Sequence, residues 1–302
     1  MPRASRPSAG EPSAPEGPEQ PRAGLWVVAT PIGHLGDLSP RARAVLAAAD
    51  LVVCEDTRVT GRLLRHFGIT ARLRSYHEHN APRVRPAILA ELERGAVVAL
   101  VSDAGTPTIA DPGYRLVREA HARGIPVRAV PGPSAAIAAL SVSGLPTDRF
   151  FFQGFLPPRR ARRRAVLAEL ARIPATLVIY EAPHRIAESL WDAARVLGDR
   201  EAALVREITK LHEECRRGRL GELAARIEAE GPPRGELVLV VAPPAAVGDE
   251  VDEAALDEAL REALARCSLR DAVAEVADRF QRPRREVYRR ALALVGERVR
   301  SS

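Results

Sequence analysis

SDAGTPTIADPG, residues 102–113, follows directly on the apolar run AVVALV, residues 96–101. A short run of Val, Ala and Leu that ends in turn residues predicts a buried strand. The next twelve residues hold two Gly, two Pro and two Asp, so the backbone must turn sharply and can approach a ligand closely. In α/β proteins ligands bind in the crevice outside the carboxyl ends of the strands. A strand that ends in Asp103, Gly105, Thr106 and Pro107 therefore reads as the floor of a binding site, although an ordinary strand-to-helix connection has the same ingredients. A second loop of this kind, PGPSA at residues 131–135, follows the strand-like VRAV at 127–130 and opens a helix-like run. Two structured loops at two strand ends predict one shared pocket.

The strand–helix alternation extends outward from these loops. LWVVAT (residues 25–30) predicts a first strand that runs into PIGHLGDL, and Ser39-Pro40 marks a helix start with Ser as cap and Pro in the first turn. Residues 51–54 predict a second strand that ends in Glu55-Asp56-Thr57, and Gly68, Gly95 and Gly124 each close a helix. Strands that alternate with helices predict a parallel sheet with helices on its faces. The second half, with strands at 149–153, 176–180, 202–206 and 236–242, repeats the alternation less regularly. We expect a first α/β domain over residues 24–144, a second over 145–243 and a helical extension over 252–302. Residues 1–23, rich in Pro, Ser, Ala and Glu, lack the apolar core of a signal peptide and are expected to be disordered. In the extension, helices at 269–280 and 284–295 joined by Gln281-Arg282-Pro283 have the outline of a helix-turn-helix, and the later one carries Arg284, Arg285, Arg289 and Arg290. The same pattern suits a small helical cap with solvated arginines.

Composition narrows the class of protein. The chain has 302 residues, 46% of them hydrophobic, and no apolar run reaches the roughly 18 residues a membrane span requires. Its three cysteines, Cys54, Cys215 and Cys267, form no metal-like spacing and suit a reducing cytoplasm. His77 and His79 lack nearby Cys or Asp partners, so no metal site is expected. The net charge of +6 points weakly to a polyanionic partner. Of the 45 basic residues Lys210 is the single lysine, which matters because Arg cannot replace a compact or deprotonatable amine.

Eight motifs now fall in order: TPIGHLGDLS at Thr30, EDTR at Glu55, SDAGTPTIADPG at Ser102, PGPSA at Pro131, GFLP at Gly154, YEAPHR at Tyr180, REITKLHEE at Arg206 and RGEL at Arg234. This series resembles the tetrapyrrole methylase superfamily, and within it the bacterial 16S rRNA (cytidine-2′-O)-methyltransferases. The resemblance covers residues 24–243 densely. It implies S-adenosylmethionine as methyl donor in a cleft between two α/β domains, a homodimer, and methylation of a cytidine ribose 2′-hydroxyl in the decoding region of the small-subunit RNA. The chain lacks a G-x-G-x-x-G fingerprint after its first strand, so a conventional dinucleotide site is not supported.

By position in the motifs, Pro31, Asp103, Ala104, Gly105, Ile109, Ser134 and Ala135 are the implied donor-binding residues. A ribose hydroxyl is a poor nucleophile at neutral pH, so a nearby base or cation would help. Lys210 is the first candidate, either as a cation at the developing alkoxide or as a base with a lowered pKa. Glu181 is the second candidate, though it and Arg185 could instead form a structural ion pair. His184 and Arg185 are candidates to hold phosphate or ribose. Arg159, Arg160, Arg162 and Arg163, in the run PPRRARRR, could track RNA phosphates or line a solvated helix face. Two rival functions fit the same fold: a methylase of corrin or siroheme precursors, and a non-catalytic nucleic-acid-binding regulator.

Overall fold

The computed structural model describes residues 21–244, 253–280 and 282–300. The expected disorder of residues 1–23 falls almost wholly outside the described residues. Two five-stranded sheets divide the chain between them. The first takes strands β1 (Gly24–Val28), β2 (Leu51–Cys54), β3 (Leu73–Ser75), β4 (Val97–Leu100) and β5 (Val127–Val130) in the order β3-β2-β4-β1-β5, every neighbouring pair parallel.

Alternation along each strand splits its apolar side chains between two faces. In β4, Val98 and Leu100 pack with Ile88, Leu89 and Leu92 of α3 (Ala81–Glu93) and Leu116 of α4 (Tyr114–Ala122). Ala99 and the following Val101 turn the other way, toward Val45 and Leu46 of α1 (Pro40–Ala48) and Leu64 of α2 (Thr57–His66). Ser39 caps α1 as its sequence predicts, accepting the Ala42 N–H at 3.1 Å. The strand order puts the carboxyl ends of β1, β4 and β5 at the centre of the sheet, so the loops after them meet.

The second sheet departs from the expected alternation. Strands β6 (Phe150–Phe155), β7 (Thr176–Glu181), β8 (Glu201–Arg206), β9 (Glu214–Arg219) and β10 (Leu237–Val241) run in the order β6-β7-β10-β8-β9, and only β6 and β7 are parallel. Strand β9 was not expected from the sequence, because ECRRGR carries no apolar alternation. It is an edge strand whose charged side chains leave the open edge unattractive to other strands. Three helices, α6 (Arg160–Leu170), α7 (Ile186–Leu197) and α8 (Leu220–Glu230), cover one face of this sheet. Residues 183–185 form a separate 3-10 turn ahead of α7.

The other face of the second sheet is covered by α5 (Ala135–Val142), a helix that follows β5 and was assigned by sequence to the first domain. Ala136, Ala139 and Leu140 pack against Val178, Ala203, Val205, Val238 and Val240, and Ile32 of the β1 loop joins them. The core between the two sheets is therefore continuous. In the extension, α9 (Glu253–Arg266), α10 (Leu269–Phe280) and α11 (Arg284–Arg300) bury Leu256, Leu260, Val273, Val276, Val287 and Ala291 against one another. The helix-turn-helix outline is present, but Arg290 makes a two-pronged ion pair with Asp257 of α9 at 2.7 and 2.8 Å, so it braces the bundle.

Candidate functional site

Two adjoining cavities open where the carboxyl ends of the first sheet face the second. The first, of about 360 Å³, is lined by Ala104, Gly105, Ile109, Asp111, Ser134 and Ala135 on one side and by Phe155, Tyr180, Glu181, Glu236 and Leu237 on the other. The second, of about 670 Å³, lies between the β1 loop, α2 and the loop that carries Lys210. Ile32, Ala104 and Glu236 line both cavities.

The loops of the first domain are fastened to one another through backbone. Thr30 and Gly105 exchange two main-chain hydrogen bonds of 2.9 and 3.1 Å, and the Thr106 hydroxyl donates to the Pro133 carbonyl at 3.0 Å. Gly105 holds φ +81°, and a Cβ there would press to 3.3 Å from the Ile32 methyl. The backbone strain is unevenly distributed. Among the described residues, the non-glycine positions with positive φ are Thr108, Ala110, Glu207 and Thr209, all on the two loops that flank the cavities. Strain of about 1–3 kcal/mol per residue persists only where the surroundings enforce it, and it concentrates at functional sites.

The two loops expected to share a pocket do so: Gly105 and Ser134 line the same cavity. Of the residues assigned to the donor by resemblance, Ala104, Gly105, Ile109, Ser134 and Ala135 line the first cavity, whereas Pro31 and Asp103 line the second. The Asp103 carboxylate accepts the Asp56 N–H at 3.1 Å and so ties the β4 loop to the start of α2. Ser134 precedes α5 without its hydroxyl capping the helix, and the Ala136 N–H of the first turn is taken up by the Tyr180 phenol across the cavity.

Lys210 lies at the mouth of the second cavity. Its ammonium donates to Glu207 at 2.8 Å and to Glu236 at 3.2 Å. Burial alone would lower its pKa, but the hydrogen bonds to the two carboxylates outweigh burial and hold it above the usual lysine range. Lys210 is thus kept as a cation. Its loop is positioned by close backbone approach: a Cβ on Gly33 would fall 2.5 Å from the Lys210 side chain, and one on Gly235 2.3 Å from the Glu207 carboxyl. Thr209 also accepts the His34 N–H at 3.1 Å, so the loop is bonded to the first domain.

Glu181 is placed at the wall of the first cavity but has little left to offer there. Its side chain is 1% exposed; one oxygen takes the Ala182 N–H at 2.7 Å and pairs with Arg185 at 2.7 Å, and the other takes the Ser189 hydroxyl at 2.6 Å. His184 is exposed beside it, while Arg185 is partly buried in that pair.

The arginine run divides. Arg159, Arg160 and Arg162 are exposed on α6 and its approach. Arg163 is fully buried, with its guanidinium on Asp192 at 2.8 Å and on Glu188 at 3.1 Å, so the expectation that it contacts RNA is corrected: it cannot reach a phosphate. The signal was hidden because Arg163 differs from its neighbours only in facing the sheet.

Sequence reasoning passed over Asp111, Tyr180, Glu236 and Arg62. The first three lie inside the quoted motifs, so their lining roles were within reach; Arg62 lies in none. Asp111 is the most perturbed acid of the site. Burial, followed by the neighbouring charges of Glu55 and Asp103, pushes its pKa up to about 6. Tyr180 is raised, chiefly by burial, and stacks edge-on against Phe152 and Phe155 at 5.0 and 5.5 Å.

Comparison with known proteins places this architecture. The model of the tetrapyrrole (corrin/porphyrin) methylases matches residues 24–224, and that of the RsmI C-terminal HTH domain matches residues 250–295. A protein of Mesorhizobium japonicum named ribosomal RNA small subunit methyltransferase I is 47% identical over 286 residues, covering 94% of this chain and 96% of that one. A protein of the same name from Vibrio cholerae is 43% identical over 278 residues, covering 90% and 96%. Among solved structures, a cobalt precorrin-4 methyltransferase of cobalamin biosynthesis superposes with a TM-score of 0.55 at 16% identity, over 72% of this chain and 94% of that chain. That likeness concerns the fold alone.

Proposed function

The chain belongs to the tetrapyrrole methylase family, and from that premise we propose that it is an S-adenosylmethionine-dependent methyltransferase of small-subunit ribosomal RNA, acting on a cytidine ribose 2′-hydroxyl in the decoding region. The observation that carries the reading is the pair of adjoining cavities, with Lys210 and Glu236 where they meet. The near-full-length likeness to proteins named ribosomal RNA small subunit methyltransferase I supports methylation of small-subunit ribosomal RNA.

The first cavity suits the donor. Ala104, Gly105 and Ala135 leave room for a bulky ligand against the backbone, and Asp111 and Glu236 suit a cation. Bound there, the donor supplies a methyl group on a positively charged sulfur with a good leaving group. Positioning then accounts for much of the rate.

The remaining task of the protein is to make the ribose oxygen reactive. Lys210, held as an ammonium, stabilises negative charge as it grows on that oxygen. Glu236 is the carboxylate in reach to take the proton. A base role for Lys210 would first require its removal from two carboxylates that favour its charged form. Glu181 positions the cavity wall rather than touching the acceptor. Arg159, Arg160 and Arg162 contribute long-range attraction for phosphates. No described helix is long and apolar enough to cross a membrane, in keeping with work on ribosomal particles in the cytoplasm. A homodimer, implied by the resemblance, would give the exposed Ile137, Val142 and Phe150 an apolar partner.

The test is a labelled-donor assay on small ribosomal subunits that lack the modification, followed by mapping of the labelled nucleotide. Label on a cytidine 2′-oxygen is the expected result. Label only on a tetrapyrrole would move the acceptor, and RNA binding without transfer would make the protein a regulator.

A further inference from the structure

We propose that the second cavity is the acceptor subsite and that Arg62 of α2 grips a phosphate of the RNA strand there. The inference rests on the proposed function and adds the residue that seats the target nucleotide. Arg62 lines this cavity together with Lys210 and is exposed, and among the described residues its guanidinium makes no hydrogen bond or ion pair. Its neighbours on α2 are spent: Arg58 pairs with Asp56 at 2.6 Å, and Arg65 donates to the Gly61 carbonyl of its own helix at 3.2 Å. An unpaired guanidinium is a planar fork of donors that matches phosphate oxygens two at a time.

The geometry of the cavity supports the same reading. It lies on the far side of Ile32 and Ala104 from the first cavity, so a nucleotide seated there would have its sugar near the shared wall and its phosphate outward. Val59 and Leu63 of α2 and Leu35 of the β1 loop give it an apolar side for a base, while Lys210 and Asp103 give a polar side for ribose hydroxyls. A target base must leave its stack to reach such a pocket, which costs a few kcal/mol that base and phosphate contacts must return. Leu211, next to Lys210 in sequence, is 92% exposed and so available to fill the space a displaced base leaves.

The test compares full-length wild type with Arg62→Ala, Arg62→Glu and, as a control on the same helix outside the cavity, Arg65→Ala. Methyl transfer to unmodified small ribosomal subunits is measured at several salt concentrations, with donor affinity measured separately by calorimetry. Arg62→Ala should raise KM for subunits about tenfold, Arg62→Glu more, and the slope of log affinity against log salt should fall by about one. Donor affinity and melting temperature should stay within error, and Arg65→Ala should change KM less than threefold. Wild-type KM and salt slope in both Arg62 variants would overturn the subsite, as would an equal loss of donor affinity. Wild-type protein that transfers no methyl group to RNA would sink the proposed function and the subsite with it; an active wild type with indifferent Arg62 variants sinks the subsite alone.

Discussion

The second domain holds two ionic clusters made from the same kinds of side chain. Around Asp192 of α7, Arg160, Arg163 and Arg164 converge from α6, and Glu188 takes the far side of Arg163. Around Lys210, Glu207 and Glu236 converge from loops. Asp192 is 1% exposed and sits between two helices packed on a sheet, so its charge is answered within the core. Burial would raise its pKa, but three guanidinium groups outweigh that and hold it down. Lys210 is 29% exposed, stands on a loop with strained backbone, and faces a cavity. The same chemistry serves cohesion in one place and, in the function proposed above, catalysis in the other, and what separates them is whether regular elements or loops hold the charges.

That contrast can be broken by substitution. Lys210→Ala should lower kcat about 100-fold or more, the scale set by loss of one group that stabilises transition-state charge, while donor affinity and melting temperature hardly move. A Lys210→Ala protein of ordinary turnover would place this cluster with the structural one. Arg163→Ala should do the reverse, costing about 2–3 kcal/mol of stability in denaturant titrations, somewhat less than a fully broken buried pair because Arg160 and Arg164 remain on Asp192. Its affinity for RNA at a temperature where it is folded should equal that of wild type.

The exposed arginines of the same run supply a sharper contrast. Arg159→Ala with Arg162→Ala should weaken binding to small subunits about tenfold or less at low salt and leave stability unchanged, with the difference fading as salt rises. The smallest effect concerns Asp111. Its raised pKa means the fold favours the protonated acid, so its contribution to stability is complete below the ordinary carboxylate range and is lost as pH climbs through about 6. Asp111→Asn has no such loss. Melting curves should show wild type losing about 2 °C relative to the variant between pH 4 and pH 7. Parallel curves would mean that Asp111 titrates normally.

The first domain was the more legible, because a parallel sheet buried on both faces writes its central strands β1, β2 and β4 as apolar runs, and α2, α3 and α4 carry their stops in Gly68, Gly95 and Gly124. The second was less so. Strand β9 is too polar to announce itself, and the antiparallel pairing of β8 with β9 and β10 has no local signature. At the site, Gly105 and Ser134 came together as the turn chemistry implied. The division of the donor motif into two cavities did not show, since Asp103 and Gly105 lie two apart in sequence yet line different cavities, with Ala104 between them lining both. Arg163 failed for the same reason: facing direction belongs to tertiary packing. Arg62 had no motif around it, and only the cavity gives it a context.

The packing of α5 limits how this protein can move. The helix follows the last strand of one sheet yet forms the floor of the other, so the two halves share interior and cannot swing apart as rigid lobes on a hinge without exposing Ala139, Leu140 and Val240 to water. Adjustment on binding is then left to the loops at 106–112 and 207–213, where non-glycine residues hold positive φ, and turnover should respond to changes in those segments far more than to changes in the connection at 143–149.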